Sequence, residues 1–425
     1  MRRRGGCGSF LESLAMREEQ WQFRRLGEVL SLEYGASLPA HRREGTRFPV
    51  FGSSGHVGRH HSPLVEGPGI IVGRKGTVGA VVWSDQSFWP IDTTYYVQTA
   101  RHDLRWLFWL LRRLPLARFD SSTGVPGLNR NDAYDVGVHA PPLPEQRQIA
   151  EILDTVDEAI RKTEEIIAKL QQVKQGLLHD LLTRGLDDNG ELRDPVRHPE
   201  QFKDSPLGRI PKGWKVAPLR QYGSPYRPHL KTGPFGSSLK QEHWVSEGVP
   251  VVTIGSLGEG HFVPSELLFI TETTARSLAS YALEAGDIVF SRVADVGRSV
   301  VVRSDQSGWI MSSNMMRIVI DSQRAVPDFV QANISSNWRV RQQIGRFVNS
   351  GGRDVANATI MNQLLFPWPR LKEQQAIVDS GAASSELIDQ KSAELKKVRL
   401  LKQGLMEDLL TGRVRVTPLL ETTAP

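Results

Sequence analysis

KQGLLHDLLTRG at residues 174–185 returns as KQGLMEDLLTGR at 402–413. Eight of the first ten positions are identical, and the separation is 228 residues (402 − 174). Carried backwards without a gap, this offset sets Glu145-Gln146 on Glu373-Gln374, Ile149 on Ile377, Asn129 on Asn357 and Gly124 on Gly352. Further upstream the match continues as the offset shrinks. SDQSFW at 84–89 meets SDQSGW at 304–309 at an offset of 220, and Arg74 and Gly79 meet Arg292 and Gly297 at 218. FPV at 48–50 meets VPV at 249–251 at 201, and Trp21 and Leu26 meet Trp214 and Leu219 at 193. Offsets that rise steadily along the chain are those of a tandem duplication whose second copy has gained insertions. The period is far too long for a solenoid repeat. FGSS at 51–54 and 235–238 lies out of this order and reads as coincidence between two turns.

Each copy has two textures. The first part, about 21–140 and 213–368, is rich in Gly, Pro and β-formers, as in GIIVGRKGTVGAVVW (69–83), GDIVFSRVADVGRSVVVR (286–303) and MMRIVI (315–320). Short β-branched runs bounded by glycine predict strands and turns. DLRWLFWLLRRL (103–114) and DFVQANISSNWRVRQQI (328–344) predict intervening helices. The fold class is therefore mixed α/β, or α+β, with a compact globule in each copy.

The second part is a long helix. After Pro144 no proline occurs up to Thr183, and apolar residues recur at three- and four-residue steps: Ile149, Leu153, Val156, Ile160, Ile167, Leu170, Val173, Leu177 and Leu181, with Thr163 in the one gap. Such a stripe lies on one face of a helix. Pro144 suits the first helical position and Gly185 the end. About 40 residues at 1.5 Å each make a rod of roughly 60 Å. In the second copy Ile377, Ile388, Leu395, Val398, Leu405 and Leu409 keep the stripe, and GAASS at 381–385 either admits a close neighbour or breaks the helix. A polar helix with one narrow apolar stripe needs a partner, and the two copies are the obvious pair. Gly176 and Gly404, at matching places in both copies, read as close-contact points, with tolerated glycines near fraying ends as the alternative.

Composition bounds the function classes. At 425 residues, with 39% hydrophobic and 24% charged residues, the chain reads as a soluble protein of more than one domain. No apolar run of membrane length or signal-peptide core occurs, so the expected location is the cytoplasm without membrane attachment. The single cysteine, Cys7, cannot form an internal disulfide or a thiolate-rich zinc site. Fifty-three Lys and Arg against 47 Asp and Glu give +6, a mild basic excess that permits nucleic acid as a partner.

Catalytic motifs are not found. In GRKGT at 73–77 Arg74 separates Gly73 from Lys75, so the phosphate-loop order is broken and strand-turn-strand is the better account. His60-His61 has no metal-ligand spacing and reads as a surface loop. There is no nucleophile elbow or dinucleotide fingerprint, and Asp92, Asp287 and Asp295 are dispersed carboxylates. The metal expectation is none.

PLPEQRQIAEILDTVDEAI (142–160), KQGLLHDLLTRG (174–185), GRIPKGW (208–214), TGPFGSSLK (232–240) and KQGLMEDLLTGRVRV (402–416) together resemble the specificity subunit of a type I restriction-modification system. The resemblance runs from about 21 to 416. It departs at Lys372, which stands where the first copy has Pro144, and at Trp21, which lacks a preceding Ile-Pro-Lys-Gly run. Met16, directly before REEQW, is a candidate initiator.

The resemblance implies an N-terminal extension (1–20), target recognition domains at 21–141 and 213–368, spacer helices at 142–186 and 369–413 packed antiparallel as a coiled coil, a connector (187–212) and a C-terminal tail (414–425). It implies double-stranded DNA as ligand, one half of a bipartite target per domain, and two methyltransferase subunits docked on the helices, with restriction subunits joining through the complex. The chain itself would be non-catalytic and bind no cofactor. S-adenosylmethionine, ATP and Mg would belong to the partner subunits. A non-DNA scaffold with two protein-binding globules and a complete restriction enzyme are the rival readings. Phosphate contacts by Lys and Arg supply affinity and a few side chains reaching base edges supply choice. The candidates are the cations of turn-rich stretches, Arg74, Lys75, Lys231, Lys240, Arg292, Arg298 and Arg353, with solvated surface charge as the alternative.

Overall fold

The computed structural model describes residues 20–119, 127–235, 238–258, 260–293, 296–349 and 355–421. The chain divides into two units, one formed by Met1–Glu165 with Ser392–Pro425 and the other by Ile166–Lys391.

In the first unit, β2 (Ser31–Tyr34), β5 (Gly69–Gly73), β6 (Val81–Ser84) and β8 (Thr94–Gln98) form an antiparallel sheet in the order β2-β8-β5-β6. Beside it, β3 (Phe48–Gly52), β4 (Gly55–His60) and β7 (Trp89–Pro90) form a sheet ordered β4-β3-β7, in which β3 and β7 run parallel. β1 (Gln22–Arg25) pairs with β9 (Gly137–Ala140). The GIIVG strand is buried along its whole length, which explains its unbroken apolar run.

Helix α1 (Leu104–Arg113) starts at Asp103, whose carboxylate accepts from the Arg105 and Trp106 amides. Its Trp106, Leu107, Trp109 and Leu110 pack against Ile70, Val72 and Val97 of the sheet. Ile149, Ala150 and Leu153 of the long helix α2 (Leu143–Arg184) enter the same core, as do Leu409 and Leu410 of the second long helix, α3 (Leu371–Thr411). Each leucine or isoleucine side chain so removed from water contributes about 1.5–3 kcal/mol. Asp154 of α2 accepts from Arg105 Nε (2.7 Å) and Trp109 Nε1 (2.8 Å), which ties α1 to α2. Along the helix pair Lys402 meets Asp157 and Arg399 meets Glu164 at 2.6 Å. Residue numbers fall on one helix as they rise on the other, so the pairing is antiparallel.

The second unit repeats this plan. β13 (Leu230–Thr232), β17 (Ile288–Ser291), β18 (Ser299–Val301) and β20 (Met315–Ile318) are ordered β13-β20-β17-β18. β14 (Trp244–Val245), β15 (Val249–Val252), β16 (Leu268–Ile270) and β19 (Ile310–Met311) are ordered β14-β16-β15-β19, with β15 and β19 parallel as β3 and β7 are. β12 (Lys215–Pro218) pairs with β21 (Leu365–Trp368), matching β1 and β9. The segment read as a connector is ordered: β10 (Phe202–Lys203) pairs with β11 (Ile210–Pro211), and Leu186, Ile210 and Trp214 are buried with Leu181, Leu182 and Ile377. Shared strand order, including the parallel pair, establishes the duplication at the level of fold.

Several expectations change. Helix α2 begins at Leu143, so Pro144 is its second residue. GAASS does not break α3, which is continuous. Its Gly381 is the close-approach point, since a Cβ there would lie 3.1 Å from a Leu178 methyl. The stripe is buried at Ile149, Leu153, Ile160, Leu181, Ile377, Leu395 and Leu409. It is half-buried at Val156, Leu170, Leu177, Ile388, Val398 and Leu405, and Val173 is 57% exposed. His60 is the last residue of β4 and packs edge-on against Trp89 at 5.0 Å, so it belongs to a strand end and not to a surface loop.

Gly176 and Gly404 are not close-contact points. Both are exposed, and a Cβ added to either meets nothing within 4 Å. Each sits one residue before a stripe leucine, about 100° around the helix, which turns it outward. Alanine at either position is expected to stabilise the protein by about 0.5–1 kcal/mol, because the helical backbone loses less entropy on folding. Urea denaturation of the two single variants measures this, and an unchanged or lower midpoint would contradict it.

Candidate nucleic-acid interface

Both units build the same backbone frame at the end of the central strand. In the first, the turn after β5 carries Arg74 and Lys75; the Leu128 amide donates to the Arg74 carbonyl at 2.8 Å, and Lys75 bridges Gly127. In the second, the Ala356 amide donates to the Arg292 carbonyl at 2.9 Å, and Val293 bridges Val355. Asn129 and Asn357 then cap short helices, each side-chain oxygen accepting a backbone N–H at 3.0 Å. The turns need glycine where φ is positive, at Gly79 (74°) and Gly297 (107°).

On this frame the first unit forms an open cleft of about 440 Å³, lined among others by Tyr34, Arg74, Lys75, Tyr95, Arg130 and Asn131. Tyr34 ends β2, is 51% exposed, and packs tilted against Tyr95 with ring centres 5.0 Å apart. The guanidinium carbons of Arg74 and Arg130 lie 4.9 and 5.0 Å from the Tyr34 ring centre, within cation–π range. Arg74 Nη1 donates to the Asp92 carbonyl at 2.8 Å and Arg130 Nη1 to the Leu32 carbonyl at 3.1 Å. Burial and the neighbouring Tyr34 push the Tyr95 hydroxyl above its ordinary value, against the two arginines, so it stays neutral at physiological pH. Among the described residues, no carboxylate pairs with Arg74, Lys75 or Arg130, and none lines the cleft. Tyr34 and Arg130 are absent from the sequence-derived candidates, because only strand register brings them to Arg74.

The same register locates the counterparts in the second unit. Tyr34 pairs with Tyr95 and Val72 with Tyr95; Thr232 pairs with Met316 and Phe290 with Met316. Thr232 and Met316 therefore replace Tyr34 and Tyr95, Ala358 replaces Arg130, and only Arg292 is retained for Arg74. Arg292 Nε reaches the Ala356 carbonyl (3.3 Å) and Arg298 Nη1 the Leu257 carbonyl (3.0 Å). Lys231 lies 4.5 Å from the Tyr281 ring centre, and burial, with Arg317 nearby, lowers its pKa. Lys240 makes an exposed pair with Glu242 at 3.8 Å, a contact of small energetic worth. Arg353 and Asp295 lie outside the described residues. Of the seven candidate cations, Arg74 and Lys75 share one cleft.

Asp287 is buried and accepts from Arg227 Nη1 at 3.1 Å and the Glu284 amide at 2.9 Å. Burial pushes its carboxyl up while Arg227 and Arg317 oppose the shift, an arrangement that holds strands together. Among the described residues no group of His, Cys, Asp and Glu is placed to hold a metal ion.

A second repeated constellation joins the helix ends. In the first unit Glu145, near the start of α2, accepts from Trp21 Nε1 (3.1 Å) and Arg415 Nε (2.9 Å), and Gly412 closes α3 at φ 76° against the Trp21 ring. In the second, Glu373 near the start of α3 accepts from Trp214 Nε1 (3.0 Å) and Arg193 Nη1 (2.6 Å), and Gly185 closes α2 at φ 64° beside them. The adjacent glutamines match as well. Gln146 accepts from the Asp103 amide and donates to the Pro141 carbonyl, while Gln374 does the same with Val326 and Pro369.

These features define an internally duplicated two-domain protein with paired long helices. Residues 18–172 match the family model for the type I restriction modification DNA specificity domain. The chain is 23% identical over 352 residues to the type I restriction enzyme MjaVIII specificity subunit of Methanocaldococcus jannaschii, covering 82% of this chain and 76% of that one. It is 24% identical over 365 residues to the EcoBI specificity subunit of Escherichia coli, covering 81% and 73%. The crystal structure of a type I restriction-modification S subunit from M. genitalium superposes with a TM-score of 0.58 at 16% identity, covering 92% of this chain and 96% of that one. The specificity-domain match lies in the first copy, and over most of its length the chain is similar to type I restriction-modification specificity subunits.

Proposed function

We propose that this chain is the DNA-recognition subunit of a type I restriction-modification complex, each unit reading one half of a bipartite, asymmetric target. One observation carries the reading: the two units keep a common frame at the central strand and differ in the side chains mounted on it. Tyr34, Tyr95 and Arg130 stand in one copy where Thr232, Met316 and Ala358 stand in the other. Two similar readers with different side chains suit two different short sequences. The repeated junctions and the helix pair, which are kept alike, suit the docking of two like partner subunits.

In this reading adenine methylation with S-adenosylmethionine and ATP- and Mg-dependent restriction belong to the methyltransferase and restriction subunits, and this chain supplies the address. The target adenine must leave the base stack to be methylated, and the partner subunits hold it there. Arg74, Lys75, Lys231, Lys240, Arg292, Arg298 and Arg353 remain the proposed DNA-contacting cations. The work takes place in the cytoplasm, and no helix among the described residues is long and apolar enough to cross a membrane.

Mapping methylated adenines across the host genome with and without the gene tests the proposal. A two-part motif present only with the gene is the expected result. Unchanged methylation, together with failure of the chain and its methyltransferase partners to shift any duplex at low salt, would favour a scaffold that binds protein.

A further inference from the structure

The cleft of the first unit has a more specific chemistry than general attraction to DNA. Arg74 and Arg130 bring two positive charges to one tyrosine ring, at 4.9 and 5.0 Å, with no carboxylate to compensate them among the described residues. Like charges held together this way create a site that favours a ligand rich in acceptors. Each guanidinium is also held in place, over the Tyr34 ring and with one nitrogen bound to a backbone carbonyl, of Asp92 or Leu32. The other Nη of each is left to donate.

Two ligands present acceptors to such donors, a backbone phosphate and the major-groove edge of guanine. Phosphate contacts suit arginine forks and lysines alike and carry no sequence information. A planar guanidinium held in place matches the N7 and O6 acceptors of guanine, the commonest specific contact in the major groove. Comparison of the two units decides between them. A phosphate clamp serves any sequence and would be kept in both copies. Here Tyr34, Tyr95 and Arg130 are all replaced in the second unit, while the backbone frame and Arg292 are kept. The elements that differ between copies are those that orient the guanidinium groups.

We propose that Arg74 and Arg130, held on Tyr34, read guanine in the half-site bound by the first unit. The inference rests on the DNA-recognition reading above. Its test uses the full chain assembled with its methyltransferase subunits, and duplexes carrying the genomic motif, with each G·C pair of either half replaced in turn by A·T. In the wild-type complex, replacement of the G·C pairs read by the cleft weakens binding about tenfold or more. Arg74→Lys and Arg130→Lys keep the charge and lose the fork, so they are expected to reduce that discrimination about tenfold at one or two positions of a single half-site. The other half-site and the slope of affinity against salt stay the same. Tyr34→Ala is expected to act like the lysine variants, and Tyr34→Phe, which keeps the ring, to leave discrimination intact.

Equal weakening on every duplex with a shallower salt slope would mean phosphate contact and overturn the proposal. So would unchanged discrimination in variants whose circular dichroism matches the wild type. Failure of the wild-type complex to prefer any bipartite duplex would count against the DNA-recognition reading itself.

Discussion

Glu373→Ala is expected to cost about 2–3 kcal/mol of folding stability, between the value of about 1 kcal/mol for an exposed ion pair and about 3–5 kcal/mol for one partner of a fully buried pair. Glu373 and Arg193 are 16% and 17% exposed, and one carboxylate oxygen accepts from Arg193, from the Trp214 indole and from the Leu186 amide. Alanine leaves all three donors without that acceptor, in a space already closed by Gly185, where even a Cβ would lie 2.4 Å from the carboxylate. Glu373→Gln keeps an acceptor and loses the charge, so its loss should be smaller. Urea denaturation measures the cost. Hydrogen exchange locates it, with protection expected to fall around 186–193 and 210–214 before it falls in the first unit. A loss below about 1 kcal/mol would show that the junction is not the fastening described here.

Removing residues 412–425 is expected to destabilise the first unit by a comparable amount and to leave the second unit's exchange pattern unchanged. The deletion takes away Arg415, leaving Glu145, whose side chain is 4% exposed, with only the Trp21 indole as a named side-chain donor. It also removes Val416, which is buried in the core with Leu409 and Ala140. Arg415→Ala alone tests the ionic part and Val416→Ala the apolar part, the latter on the scale of a cavity of two methyl groups, about 1–2 kcal/mol. A truncated chain with wild-type protection in residues 143–153 would refute this account of the tail.

The duplication, the two textures of each copy and the two long helices are legible in the sequence because each depends on local spacing. Repeat offsets align Trp21 with Trp214 and Glu145 with Glu373, yet nothing in them says that tryptophan meets glutamate within a unit. Arg193 and Arg415 escape notice for a definite reason: they stand 222 residues apart, off the 228-residue register of the neighbouring helices, because the turns after the two helices differ in length. The glycines show the opposite failure. Gly176 and Gly404 hold the register and suggest contact, but register constrains position along a helix more tightly than the face a residue presents. Gly381, without a repeated partner, is the one that meets a neighbour.

The candidate site divides in the same way. Arg74 and Lys75 could be picked out from a turn between two β-runs. Tyr34 and Arg130 could not, since they lie 40 residues before and 56 after Arg74 and reach it through the pairing of β2 with β8 and of Lys75 with Gly127. By itself the sequence determined that the chain is a doubled α/β domain with paired helices, because periodicity and repetition are properties of order along a chain. Tertiary structure alone decided which cations share a cleft with no counter-charge among the described residues and which carboxylates fasten the helix ends. Electrostatic energy depends on distance through space, and folding sets that distance with little regard to separation in sequence.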